Sequence, residues 1–137
     1  MSDKLIFFVD DDKMIINLME YTFKNRDNYD IRTFFSGEEC LDNLHLNPDL
    51  IVLDHYFTRQ KGAILTGLET LKKIREKNVT VPVIMLTSQG DQSLLPEFIK
   101  YGALKYIAKD DYFIDTLLDT ITAEMNDEPG KQSVNPA

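Results

Sequence analysis

The apolar positions of this chain fall into short, dense runs separated by polar, helix-spaced stretches. Leu5-Ile6-Phe7-Phe8-Val9, Leu50-Ile51-Val52-Leu53 and Val83-Ile84-Met85-Leu86 are continuously apolar, Tyr29–Phe35 is rich in β-formers, and Tyr106-Ile107-Ala108 is a shorter run of the same kind. Runs of this length without alternation predict strands covered on both faces. From Lys13 to Lys24, Met14, Ile15, Leu18, Met19, Tyr21 and Phe23 recur at helical spacing, which predicts a helix capped by one of the acids before it. Ser36-Gly37-Glu38-Glu39 and Thr66-Gly67-Leu68-Glu69 have the spacing of capping boxes. The first opens a helix to about His45, stopped by Asn47-Pro48; the second opens one through Leu68, Leu71 and Ile74 to about Lys77. A further helix ends at Tyr101 before Gly102, and a last one spans Asp110 to Met125.

Strand and helix therefore alternate five times, with an irregular loop at 55–65 and a polar tail at 126–137. That order predicts an α/β fold, a five-stranded parallel sheet wound with helices on both faces through right-handed crossovers. The domain is expected over residues 1–125, with 126–137 frayed because it has almost no apolar residues to bury. In such sheets ligands bind beyond the carboxyl ends of the strands. The polar residues delivered to that rim are Asp10, Asp11 and Asp12 after the first strand and Asp54 after the third. The fourth adds Thr87 and Ser88, and the fifth Lys109.

Composition narrows the function without naming it. A net charge of −8 argues against a nucleic-acid footprint, which needs a basic face. A single cysteine, Cys40, excludes an internal disulfide, and no Cys/His metal cluster is available. No apolar run approaches membrane-spanning length and the first is too short for a signal peptide, so a cytoplasmic, non-membrane domain is expected.

The rim itself is electrostatically unfavourable. Two unit charges about 4 Å apart cost roughly 4 kcal/mol at an effective dielectric near 20, so several carboxylates on one edge require a compensating cation. Lys109 is one, and a hard divalent cation with oxygen ligands, Mg²⁺ above all, would do more. A hydroxyl, an ammonium and a metal around an aspartate also describe a phosphoryl-transfer site in which the carboxylate attacks.

With those residues in view, the chain resembles a response-regulator receiver domain of two-component signalling, of the CheY-like kind, from Lys4 to about Met125. The segments FFVDDDK, DLIVLD, VIMLTS and YIAK carry the resemblance, in the family's order and spacing. The resemblance implies the sheet order 2-1-3-4-5 and a stand-alone receiver that is a signalling domain, with only self-phosphorylation and slow self-dephosphorylation as its chemistry. It implies that Asp54 is the phosphoacceptor and that Asp10 and Asp11, with Asp54 and the backbone carbonyl of Tyr56, hold Mg²⁺ or Mn²⁺. Thr87, Ser88 and Lys109 would contact the phosphoryl group, and Thr87 with Tyr106 would form the switch. The donor would be a histidine kinase or phosphotransfer protein. The output would be a protein partner on the face of helix four, strand five and helix five, or a phosphorylation-dependent dimer of an otherwise monomeric chain.

The chain departs from the family in two places. Gly67 lies 13 residues beyond Asp54, a longer loop than usual and without the customary proline. Lys109 is followed by Asp110 instead of proline, which puts the family's cis bond in doubt. Two other readings stand beside the receiver. One is a small haloacid-dehalogenase-type phosphatase with Asp10 as nucleophile and Asp12 as acid; the other is an interaction module indifferent to phosphorylation. Asp12 is read here as a helix cap, Cys40 as core, and His45 and His55 are given no site role.

Overall fold

Leu50–Asp54, buried along its whole length, forms the central strand of the sheet. The structure is a computed structural model that describes residues 3–24, 26, 28–55, 65–77, 79–88 and 92–126. The elements run β1 (Lys4–Val9), α1 (Lys13–Phe23), β2 (Tyr29–Phe34), α2 (Gly37–Asp42), a 3-10 turn (Leu44–Leu46), β3 (Leu50–Asp54) and α3 (Gly67–Glu76). They continue with β4 (Val83–Thr87), α4 (Leu95–Lys100), β5 (Lys105–Ala108) and α5 (Phe113–Asn126). The strands are parallel in the order β2-β1-β3-β4-β5, the expected architecture.

Strand side chains alternate between two layers, as the period of two requires. Ile6, Phe8, Leu50, Val52, Ile84 and Leu86 pack with Ile16, Met19 and Phe23 of α1 and Phe113, Leu117 and Ile121 of α5. Phe7, Val9, Ile51, Leu53, Val83 and Met85 pack with Cys40 of α2, Leu71 and Ile74 of α3 and Phe98 of α4. With apolar contacts on both faces, β1, β3 and β4 are held rigidly, and so are the residues at their carboxyl ends.

Local chemistry follows the sequence with a few shifts. Asp12 caps α1 by accepting from the Met14 amide at 2.9 Å. Thr66 and Glu69 form the full reciprocal capping box at α3. At α2 the box is altered: Ser36 accepts from the Glu39 amide, but the Glu39 carboxylate reaches back to Phe35 rather than Ser36. Helix α2 stops at Asp42, short of His45, and a 3-10 turn completes the segment before Asn47 takes a left-handed φ of 59°. Strand β5 begins one residue early, at Lys105. No cis peptide occurs among the described residues; after Lys109, Asp110 makes a tight turn, its carboxylate accepting from the Tyr112 amide and its carbonyl from that of Phe113. No described helix is long and apolar enough to cross a membrane. Most of the 55–65 loop (56–64, Tyr56 included), the 89–91 segment and the tail from 127 lie outside the described residues.

Candidate functional site

Three strand ends converge at the rim. Asp10 follows β1 directly, and its amide is bonded to Phe34 of β2 at 3.1 Å. Asp54 closes β3 in register with Leu86 of β4. Lys109 follows β5, and its amide is bonded to the Thr87 carbonyl at 2.9 Å. From there the lysine side chain spans the sheet edge: Nζ lies 2.8 Å from Asp10 Oδ2 and 3.0 Å from Asp54 Oδ1. Carboxylate oxygens of Asp10, Asp11 and Asp54 all come within 4.8 Å of one another.

The carboxylates are not equivalent. Asp10, 2% exposed, has both oxygens engaged, Oδ1 by the Asp12 amide at 2.9 Å and Oδ2 by Lys109. Asp54, 1% exposed, has the Lys109 ion pair but no hydrogen bond to either oxygen among the described residues, and Asp11 Oδ2 is also buried without a partner. Burial pushes the Asp54 carboxyl up to about 7; the Asp10 charge adds to the rise and Lys109 opposes it. Burial likewise raises Asp10 against the pull of Lys109. For Lys109, burial favours the neutral amine, but the two carboxylates outweigh it and leave the ammonium more stable than in water. Among the described residues, Lys109 is the cation paired with this cluster, through Asp10 and Asp54. Unbonded carboxylate oxygens in a dry setting accept either an electrophile or a hard cation, since each buried lone pair without a partner costs free energy.

Thr87, almost fully buried, closes β4 one residue beyond the register partner of Asp54, whereas Ser88 is exposed. Tyr106 is 46% exposed on β5, opposite Met85. Asp12 turns away from the cluster to cap α1. Tyr56 lies outside the described residues.

Two supporting residues escaped the sequence reading. His55 is buried; its Nδ1 accepts from the Leu68 amide at 3.2 Å, its carbonyl accepts from the Gly67 amide at 3.2 Å, and its ring meets Phe98 edge-on at 5.6 Å. An Nδ1 acceptor requires the imidazole to be unprotonated there, so neutral His55 pins the first turn of α3 beside Asp54. Gly67 makes that approach possible: a Cβ at this position would clash with the Asp54 carbonyl oxygen and with His55 Cα. A glycine at the helix start was the only signal in the sequence, and it did not reveal what it faces.

The family model of the response regulator receiver domain matches residues 6–122. The chain belongs to the response regulator receiver family. Among curated relatives of this receiver domain, the alkaline phosphatase synthesis transcriptional regulatory protein PhoP of Bacillus subtilis is 33% identical over 108 residues, 78% of this chain and 42% of PhoP. The chain spans about half the length, or less, of the curated relatives it matches first. Among solved structures, the receiver domain of the Francisella response regulator 1452 superposes with a TM-score of 0.75 at 24% identity, covering 92% of this chain and all 100% of that one. A CheY-like receiver domain protein from Methanospirillum hungatei gives 0.76 at 23% identity, covering 92% and 96%. These structures share the fold of the receiver domain described above.

Proposed function

We propose that this receiver domain accepts a phosphoryl group on Asp54 from a phosphohistidine of a histidine kinase or phosphotransfer protein in the cytoplasm, and passes the signal on by a change of surface. The observation that carries the reading is the asymmetry of the acids: Asp10 has both oxygens hydrogen-bonded, while Asp54 has Lys109 at Oδ1 and, among the described residues, no partner at Oδ2. A nucleophile needs a free lone pair, and a positioning acid does not. An Asp54 oxygen attacks phosphorus, the new P–O bond forming as the donor P–N bond breaks, and the departing imidazole takes a proton from solvent. Lys109, 3.0 Å from Asp54 Oδ1, opposes the charge that gathers on the phosphoryl oxygens. Thr87, at the end of the adjoining strand, offers a hydroxyl donor to one of those oxygens.

The unpartnered oxygens of Asp54 and Asp11, grouped with Asp10, fit a hard divalent cation such as Mg²⁺ or Mn²⁺ and offer no nitrogen or sulfur for a softer one. Asp10, Asp11 and Asp54 would hold it, with the Tyr56 carbonyl as the further ligand suggested by family resemblance. When bound, the ion neutralises carboxylate and phosphoryl charge together. Two surfaces serve as partner faces. On α1, Met14, Leu18 and Tyr21 form an apolar stripe beside the site, 75%, 40% and 76% exposed, and suit the donor. Across α4, β5 and α5, exposed Ile99, Leu104 and Tyr106 suit the output partner.

Incubation with acetyl phosphate and Mg²⁺ should add one phosphoryl group by intact mass, and Asp54→Asn should abolish it; a gain that persists in Asp54→Asn overturns the assignment. The phosphatase alternative is not favoured: its acid, Asp12, gives one carboxylate oxygen to the α1 cap. A module indifferent to phosphorylation would show no Mg²⁺-dependent rise in thermal midpoint. A ligand at 100 times its dissociation constant adds about 2.7 kcal/mol.

A further inference from the structure

On the side of the sheet away from α1 and α5, an open groove of about 410 Å³ runs between α2 and α3, lined by Glu38, Leu41, Asp42, Leu65, Lys73 and Lys77. Its walls carry opposite charge. Asp42 projects from α2, where the Glu38 carboxylate is enclosed; Lys73 and Lys77, four residues apart, project from the end of α3, and Leu41 and Leu65 supply apolar surface. The groove is well fixed. Gly37 sits so close to Thr70 that a Cβ would clash with its hydroxyl, which sets α2 against α3 in a single register. Glu38 Oε2 accepts from the Leu65 amide at 3.0 Å and ties the start of the α3 segment to α2. Asp42, Lys73 and Lys77 form no ion pair among the described residues. Exposed Phe35 and Leu46 add apolar surface just before and after α2 in the chain.

We infer that the α2–α3 face pairs with the same face of a second copy of this chain. An acid on one wall and lysines on the other are self-complementary under one symmetry operation, a two-fold axis lying along the groove. That axis sets Asp42 of each copy against the α3 lysines of the other and brings the leucines together. A two-fold across the groove sets like against like and is excluded by repulsion. A uniformly acidic or basic partner would satisfy one wall and repel the other, whereas the second copy satisfies both. At −8 per chain, copies repel one another at long range, so a self-complementary patch fixes where they meet. The pairing does not depend on the phosphoryl chemistry at Asp54 or on the α4-β5-α5 face.

Sedimentation equilibrium of the unphosphorylated chain tests it, up to about 1 mM. The expected result is a mass rising above 15.8 kDa toward twice that value. It should stay at the monomer value in Lys73→Glu/Lys77→Glu and in Asp42→Lys, and rise again when those two variants are mixed. All three positions are exposed, so the variants should fold, which their circular dichroism verifies. A monomer mass for the native chain throughout the range overturns the pairing. So does association that the lysine reversal leaves undiminished, because that places the contact on another surface. Asp54→Asn should associate like the native chain, so failure of this inference and failure of the Asp54 assignment are separately readable.

Discussion

Asp54 is held in a state that costs the fold stability, and the cost has a sign that can be measured. Its carboxyl is pushed from 3.8 up to about 7, first by burial and then by the Asp10 charge. A folded-state value above the unfolded one favours the protonated native state. The favourable contribution is therefore full below about pH 4 and is lost as pH rises through about 7. In chelator-treated protein, Asp54→Asn should raise the thermal midpoint less at pH 5, where roughly a third of the cost has accrued, than at pH 8; the full shift corresponds to on the order of 4 kcal/mol. Differential scanning calorimetry at both pH values checks it, and an equal effect at the two would show that ionisation is not the cause. Added Mg²⁺ should narrow the gap at pH 8, where the carboxylates it neutralises are charged. Cys40, by contrast, is inert: burial drives its thiol up to about 12.

Among the elements, the start of α3 is where the sequence says least and the structure most. The strands, the helices and the acids at the strand ends were legible because hydrophobic period and capping chemistry are local signals. Apolar runs ending in Asp10, Asp54, Thr87 and Lys109 are enough to place those residues on one rim. What could not be read is which acid keeps an oxygen free, since that depends on Lys109, 99 positions from Asp10 in sequence, choosing a geometry. Nor could the lodging of α3 against the backbone of Asp54 and His55 be read, because a glycine at a helix start has several ordinary uses. Gly67→Ala tests that lodging. Its Cβ meets main-chain atoms that no rotamer change can move, so α3 or the end of β3 must shift. The expected loss is roughly 1–3 kcal/mol or more in denaturant unfolding, with slower acetyl phosphate labelling of Asp54. Unchanged stability would mean that α3 does not need this close approach. Arg75, at the other end of α3, is a second fastening: its guanidinium donates to the carbonyls of Val79, Val81, Tyr101 and Gly102. Arg75→Met should strand several of these carbonyls and cost roughly 2–3 kcal/mol.

At the scale of the whole molecule, β4 and β5 join the site to the exposed surface around Tyr106, proposed above as the output face. Thr87 closes β4 beside Asp54, its carbonyl takes the Lys109 amide, and the same two strands carry Tyr106 opposite Met85. Tyr106 is 46% exposed, and Ile99 and Leu104 are exposed as well; in the proposed switch an inward turn of the Tyr106 ring would remodel this apolar surface. Helix α4 is well placed to respond, because Leu94 at its N-cap makes no side-chain cap hydrogen bond while Arg75 fastens the turn after its last residue. A ligand shifts such an equilibrium only by its differential interaction with the two states, and the hydroxyl of Thr87 is the group that a phosphoryl on Asp54 would engage differently. Thr87→Ala should therefore still be phosphorylated at Asp54 by acetyl phosphate, yet lose the phosphorylation-dependent change in amide exchange over α4 and β5. Hydrogen-exchange mass spectrometry of the labelled and unlabelled forms reads both, and an undiminished change in Thr87→Ala would mean that the signal leaves Asp54 by another route.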